Sequence, residues 1–163
     1  MWDIRKFGDS RRSSKKSLEP LATQSVGLSI SSSYFSPSGN SLLTTSFANR
    51  LDLIANAHLQ SGSIDKKTKP AILKPTHNIQ HNNRTGRWLC TFMASWHPEL
   101  DIFISGSMNK PRCMEVFNSG GKLLRGVTGE SLTSVMSRCC FHPSTEKLVM
   151  VGGNSSGRVV VVR

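Results

Sequence analysis

The chain has no apolar run approaching about 18 residues and no leader with a charged start and an apolar middle. Neither a membrane-spanning helix nor a secretory signal is therefore supported. No segment carries a convincing helical period. The four cysteines, Cys90, Cys113, Cys139 and Cys140, form no C-x-x-C pair. They read as structural thiols of a reducing compartment, with the neighbours Cys139 and Cys140 facing opposite sides of a strand. Paired carboxylates, a phosphate-cradling glycine loop and a metal cluster are all missing from the pattern, so the chain reads as non-enzymatic, with no cofactor. Gly153-Asn154-Ser155-Ser156-Gly157 matches a nucleophile elbow, but that device needs a strand-to-helix turn, and here the string links two strands. His77 and His81 are four apart without a helix to bring them together, and the Asn-x-Ser/Thr matches at Asn83 and Asn154 are idle in a reducing compartment.

What is present is a phrase repeated three times: Phe35-Ser36-Pro37, Trp96-His97-Pro98 and Phe141-His142-Pro143. Each aromatic-x-Pro turn precedes an apolar run, namely Leu42-Leu43-Thr44-Thr45, Ile102-Phe103-Ile104 and Leu148-Val149-Met150-Val151. A short polar turn, a basic residue and a second β-rich run follow each time. The residues before proline, Ser36, His97 and His142, are expected to satisfy backbone groups of the turn. The prolines stand 61 and 45 residues apart, against a blade repeat of about 40–45. The first interval therefore carries an insertion over 55–78. Each unit reads as strands a, b and c with a weaker outer strand d, as in Lys122-Leu123-Leu124-Arg125.

Four-stranded units repeated around an axis describe an all-β fold, the β-propeller. The units fall at about 26–54, 88–125 and 132–163, and the polar stretches 8–17 and 60–78 read as mobile loops. Met1-Trp2-Asp3-Ile4-Arg5 reads as the end of a further strand c, carrying the Trp-Asp dipeptide of WD repeats. Val159-Val160-Val161-Val162-Arg163 is a strand c with no strand d after it. Three blades and a strand are fewer than a propeller's roughly 4–8. The chain thus reads as the C-terminal portion of a larger, seven-bladed protein or as a truncated product.

Acidic residues are scarce: 10 against 21 lysines and arginines, a net charge of +11. Such a chain calls for a polyanionic partner, with nucleic acid ahead of anionic membrane. The b–c loops hold Arg50, then Lys110 and Arg112, then Arg158, and the d–a connection before the second unit adds Arg84 and Arg87. These loops open on one face of a propeller. The a–b turns, on the other face, hold Glu99, Asp101 and Glu146, with Lys147 as the exception.

Three strings carry a family resemblance. They are His81-Asn82-Asn83-Arg84-Thr85-Gly86-Arg87-Trp88-Leu89, followed by Ala94-Ser95-Trp96-His97-Pro98; Gly106-Ser107-Met108-Asn109-Lys110-Pro111-Arg112, followed by Met114-Glu115-Val116-Phe117; and Gly152-Gly153-Asn154-Ser155-Ser156-Gly157-Arg158. The chain resembles the WD repeat-containing protein 76 family throughout, apart from residues 8–17 and 55–76. It is more distantly similar to the damaged-DNA-binding protein 2 subunit, a seven-bladed sensor of ultraviolet damage. The resemblance implies a nuclear, chromatin-associated protein whose basic face binds DNA in the damage response. It further implies that Trp2, Asp3 and Arg5 form a W-D-x-R box docking on the damaged-DNA-binding protein 1 adaptor of cullin-4 ubiquitin ligases. The protein would then be a substrate receptor. Ile79-Gln80-His81 aligns with the sensor's Phe-Gln-His hairpin, expected here in a d–a loop as a wedge with Ile in place of Phe. A scaffold that binds acidic or histone-associated peptides through the same rim is the alternative, as is an inactive truncated product.

Overall fold

The computed structural model describes residues 20–58, 60, 70–86, 89–144 and 148–163. Among these the structure is all-β, with thirteen strands and no helix. The first antiparallel blade is β2 (Ile30–Phe35), β3 (Ser41–Ser46), β4 (Arg50–Ala55) and β6 (His77–Gln80), paired in that order. The second is β7 (Ser95–Trp96), β8 (Ile102–Gly106), β9 (Met114–Asn118) and β10 (Leu123–Val127), and the third is β11 (Arg138–Phe141), β12 (Met150–Gly153) and β13 (Val159–Val162). A short parallel pair, β1 (Ala22–Thr23) with β5 (Ala71–Ile72), lies beside the first blade. The expected order a, b, c is found in all three units, and strand d is found in the first two.

The aromatic-x-Pro phrase turns the corner from a to b for a local reason. Proline cannot donate to the ladder, so strand a stops there, and the residue before it closes the turn. Ser36 Oγ accepts from the Ser41 amide at 3.1 Å. His97 Nδ1 accepts from the amides of Glu99 at 3.1 Å and Leu100 at 3.0 Å, and His142 Nδ1 from that of Ser144 at 3.0 Å. All three side chains thus serve the backbone, as their place before proline implies.

The loop expected over 55–78 is corrected in part: β5 lies inside it, and β6 begins at His77 and runs through Gln80. The segment His77-Asn78-Ile79-Gln80 has a single apolar residue, because an outermost strand needs only one face partly covered. The pairing Leu51 with Ile79 and Leu53 with His77 fixes its register against β4. Residues 8–17 and 61–69 lie outside the described residues.

A blade has no core of its own; the cores lie between blades. Leu43, Leu51 and Leu53 of the first blade pack with Ala94, Phe103 and Phe117. Ile104, Met114 and Val116 of the second pack with Leu132, Met136, Phe141 and Met150. Successive residues of a strand face opposite sides. Phe103 and Ile104, neighbours on β8, therefore enter different cores, as do Val116 and Phe117 on β9. A third cluster, Ala22, Ile54, Ala57 and Leu73, joins the β1–β5 region to the first blade. Polar links stitch the blades as well. The Thr45 hydroxyl accepts from the Ala94 amide at 3.1 Å, Ser31 donates to the Phe92 carbonyl at 2.7 Å, and Ser95 to that of Cys139 at 2.9 Å.

Cys139 and Cys140 do face opposite sides, one buried and one exposed, and all four cysteines are free thiols. Burial, with a lesser push from the neighbouring Cys140, raises the Cys139 thiol from 9.0 to about 12. It therefore stays protonated and unreactive. Burial also raises Cys113.

The second and third blades approach closely at Gly106, where a Cβ would sit 1.6 Å from the Met136 carbonyl oxygen. Backbone there cannot yield without parting the second and third blades. Gly106→Ala should cost about 3 kcal/mol or more, as severe overpacking does. Gly126, whose Cβ would meet nothing within 4 Å, is the control, and Gly126→Ala should stay within about 0.5 kcal/mol of wild type. Urea unfolding of the two variants checks the difference.

Candidate nucleic-acid interface

In an antiparallel meander, successive connections alternate between the two ends of the sheet. The b–c loops (47–49, 107–113 and 154–158) and the d–a connections (81–94 and 128–137) therefore share one face. Side chains confirm the meeting: the Asn154 amide donates to the Ser134 hydroxyl, and Arg158 Nη1 to that of Thr133 at 3.0 Å.

Asn83 anchors the first d–a connection. Its Nδ2 donates to the carbonyls of Ser46 at 2.8 Å and Arg50 at 3.0 Å. Its backbone amide reaches Asn49 Oδ1 at 3.3 Å. Asn49 sits at φ 56° in the tight β3–β4 turn, a left-handed conformation that asparagine tolerates better than most residues. Both Asn83 amide hydrogens are thus spent, so Oδ1 is the atom facing His81 Nδ1, and that nitrogen carries the hydrogen. The His81 ring is buried and stands edge-on to Phe92, with centroids 5.3 Å apart.

The cations of this face differ in what holds them. Arg84, Lys110 and Arg158 are exposed. Arg112 is half-buried, its Nη1 donating to the Met108 carbonyl at 2.6 Å. Arg50 is different: its Nε lies 2.9 Å from Oδ1 of the fully buried Asp52, an ion pair too bent to be a hydrogen bond. Gln24 donates to the other Asp52 oxygen at 2.9 Å. Arg50 therefore offsets a buried carboxylate through its Nε, while its side chain remains 36% exposed. Arg138, which the sequence reading passed over, is exposed at the start of β11, its Nη2 3.4 Å from Thr91 Oγ1. Its signal was a basic residue opening a strand a, directly after a d–a connection. Arg87, and the Trp2, Asp3 and Arg5 box, lie outside the described residues, as do Glu146 and Lys147. The opposite face bears Glu99, exposed, and Asp101, half-buried, with the exposed Lys122 among them.

Ile79 and Gln80 lie in β6 and not at a loop tip, correcting the expected position. Ile79 is half-buried against the cluster between the first two blades. It lies next to Gly121, whose Cβ would be 3.3 Å from Ile79 Cδ1. Strand and packing together hold it to the side of the blade. Gln80 and His81 instead line a cleft of about 720 Å³ between the first two blades, with Asn82, Arg84, Asn109 and Glu115. Among the described residues no group of three His, Cys, Asp or Glu could hold a metal ion.

No family model matches this chain. Over 156 residues and 94% of its length it is 37% identical to WD repeat-containing protein 76 of Mus musculus. It is 38% identical to the protein of that name from Xenopus laevis, again over 94%. It is 30% identical over 98% of its length to DNA damage-binding protein CMR1 of Chaetomium globosum. The chain spans 23%, 25% and 30% of those three relatives.

Asn83 provides a direct test of how the face is built. Asn83→Ala leaves two carbonyls without their donor and should cost about 2–4 kcal/mol. Asn83→Asp sets a carboxylate oxygen against those carbonyls and should cost at least as much, although its shape is unchanged. Urea denaturation of both variants measures this; an Asp variant as stable as wild type would contradict the assignment.

Proposed function

Because this chain is homologous over 94% of its length to the WD repeat-containing protein 76 family, we propose that its basic loop face binds the phosphate backbone of duplex DNA. On this reading the role is related to DNA damage, as the name of the Chaetomium globosum relative suggests, and the setting is nuclear chromatin. One observation carries it: Arg84, Lys110, Arg112 and Arg158, drawn from three successive units, stand in loops that open on a single face. Phosphate contacts of this kind position a protein on DNA without reading its sequence. They act by neutralisation and counterion release, with no bond made or broken. Arg138 extends the same surface. Arg87 and the described cations would act alike, while Arg50 supports the face from below through Asp52. Ile79 stays in its strand, and Gln80 and His81 flank the surface. The rival, a scaffold for acidic peptides on the same rim, lacks the long regular run of charge that multiplies the salt effect.

Replacing Lys110, Arg112 and Arg158 together with Ala should lower the log–log salt slope of duplex binding by roughly two to three units. The loss should be nearly the same for unrelated DNA sequences. An unchanged slope, or a larger loss on an acidic peptide than on duplex, would count against the DNA reading.

The Trp2-Asp3-Ile4-Arg5 string motivates a second part of the proposal: docking on the damaged-DNA-binding protein 1 adaptor, making the protein a substrate receptor of a cullin-4 ligase. Arg5→Ala should then reduce co-purification of that adaptor while changing duplex affinity by less than about twofold, roughly 0.4 kcal/mol. Equal recovery of adaptor by both proteins would remove this part and leave the DNA reading standing.

A further inference from the structure

The wall between the first two blades holds a buried pair of titratable groups. His81 directly follows β6 of the first blade, and Glu115 belongs to β9 of the second. His81 Nε2 lies 3.5 Å from Glu115 Oε2, and the side chains are only 3% and 11% exposed. The remaining polar atoms of both groups are engaged. His81 Nδ1 carries its hydrogen toward Asn83 Oδ1, and Glu115 Oε1 accepts from Asn109 Nδ2 at 2.9 Å. Nε2 is shut off from solvent and has no hydrogen-bond partner, so Glu115 is what it faces. The sign of that contact depends on one hydrogen. With a hydrogen on Nε2, an imidazolium faces a carboxylate, and the two blades are joined by a buried ion pair. Without it, a bare lone pair faces a carboxylate oxygen, and the contact is repulsive.

We propose that His81 and Glu115 form a pH-sensitive latch between the first two blades, closed by the uptake of one proton. The inference is independent of the DNA reading, because it concerns the wall between blades and not the rim cations. In the unfolded chain both groups are in water and far apart, so the attraction between imidazolium and carboxylate belongs to the folded state. The stability it contributes is present at low pH and is lost as the pH rises and Nε2 gives up its hydrogen. Arg84 lines the cleft beside the pair, and Arg112 and Cys113 stand near Glu115 on the second blade. The arginines keep their charge. Burial above all, with a smaller push from Glu115, raises the Cys113 thiol and keeps it protonated. On β4, next to β6, Arg50 and Asp52 face one another. The apolar cluster that the same two blades share, with Leu43, Leu51, Phe103 and Phe117, does not titrate. The response is therefore confined to the end of the interface where the d–a connection bearing Arg84 crosses over.

The test compares the wild-type chain with Glu115→Gln at two pH values, by urea unfolding at one fixed ionic strength. Glutamine keeps the shape of the side chain: its oxygen still accepts from Asn109, and its amide turns a donor toward Nε2. At about pH 5.5 wild type should be the more stable by at least about threefold in the unfolding equilibrium constant, because the variant lacks the carboxylate that faces the imidazolium. At about pH 8 the order should reverse by a similar factor, since the amide supplies the donor that the neutral ring lacks. A role in shape or packing alone predicts one ratio at both pH values, and that result would overturn the proposal. Nitrogen NMR of the His81 ring in wild type decides the matter even where Glu115→Gln does not fold. Nε2 should lose its hydrogen as the pH rises between those two values, while Nδ1 keeps its own. Loss from Nδ1, or a ring whose protonation is the same at both, would overturn the latch.

Discussion

The face of the molecule that carries its chemistry depends on one side chain amide. Asn83 clamps the first d–a connection to the carbonyls of Ser46 and Arg50, on either side of the tight β3–β4 turn. This clamp does three things. It holds the connection against the first blade just before the chain crosses to the second. It spends both amide hydrogens, which fixes the tautomer of His81. And it sets the place from which Arg84 projects. Asparagine is the residue for this because it alone, at this length, supplies two donors and an acceptor on one planar group; Asp keeps the shape and reverses the polarity.

Charge on this face is not a sum over its arginines. Arg50 faces a carboxylate that is fully buried, and stranding that carboxylate would cost more than the pair contributes. The cations left to act outward are those in loops, with Arg138 at the start of β11, and their contacts are to hydroxyls or single carbonyls. The pairing of Arg50 with Asp52 was readable in principle, because residues two apart on a strand share a face. A basic residue in register with Arg112 and Arg158 drew the eye first. Register along the repeat and partnership along the strand are separate signals, and here the second decides what the residue does.

The blades themselves were legible, since proline and the residue before it act locally and leave the same trace in every unit. Strand β6 was not. His77-Asn78-Ile79-Gln80 carries no β-branched alternation beyond Ile79, and an edge strand is defined by its partner, Leu51 to Leu53 of β4, more than by its own composition. The cleft was likewise hidden. His81 and Glu115 are far apart in sequence, and neither Asn83 nor Asn109 looks unusual until the blades are set side by side.

The second blade sends Phe103 and Phe117 to one side and Ile104 and Val116 to the other, each into a core shared with a different neighbour. A slip of one residue in this sheet would exchange flat rings for branched chains in both cores at once. Its alignment is therefore checked twice, by two independent readers that share no side chain. An error that one neighbour could absorb is rejected by the other. The third blade has no such double check within the described residues, and the first meets only the small cluster of Ile54 with Ala22, Ala57 and Leu73 on its far side, so fidelity of assembly is concentrated in the middle sheet.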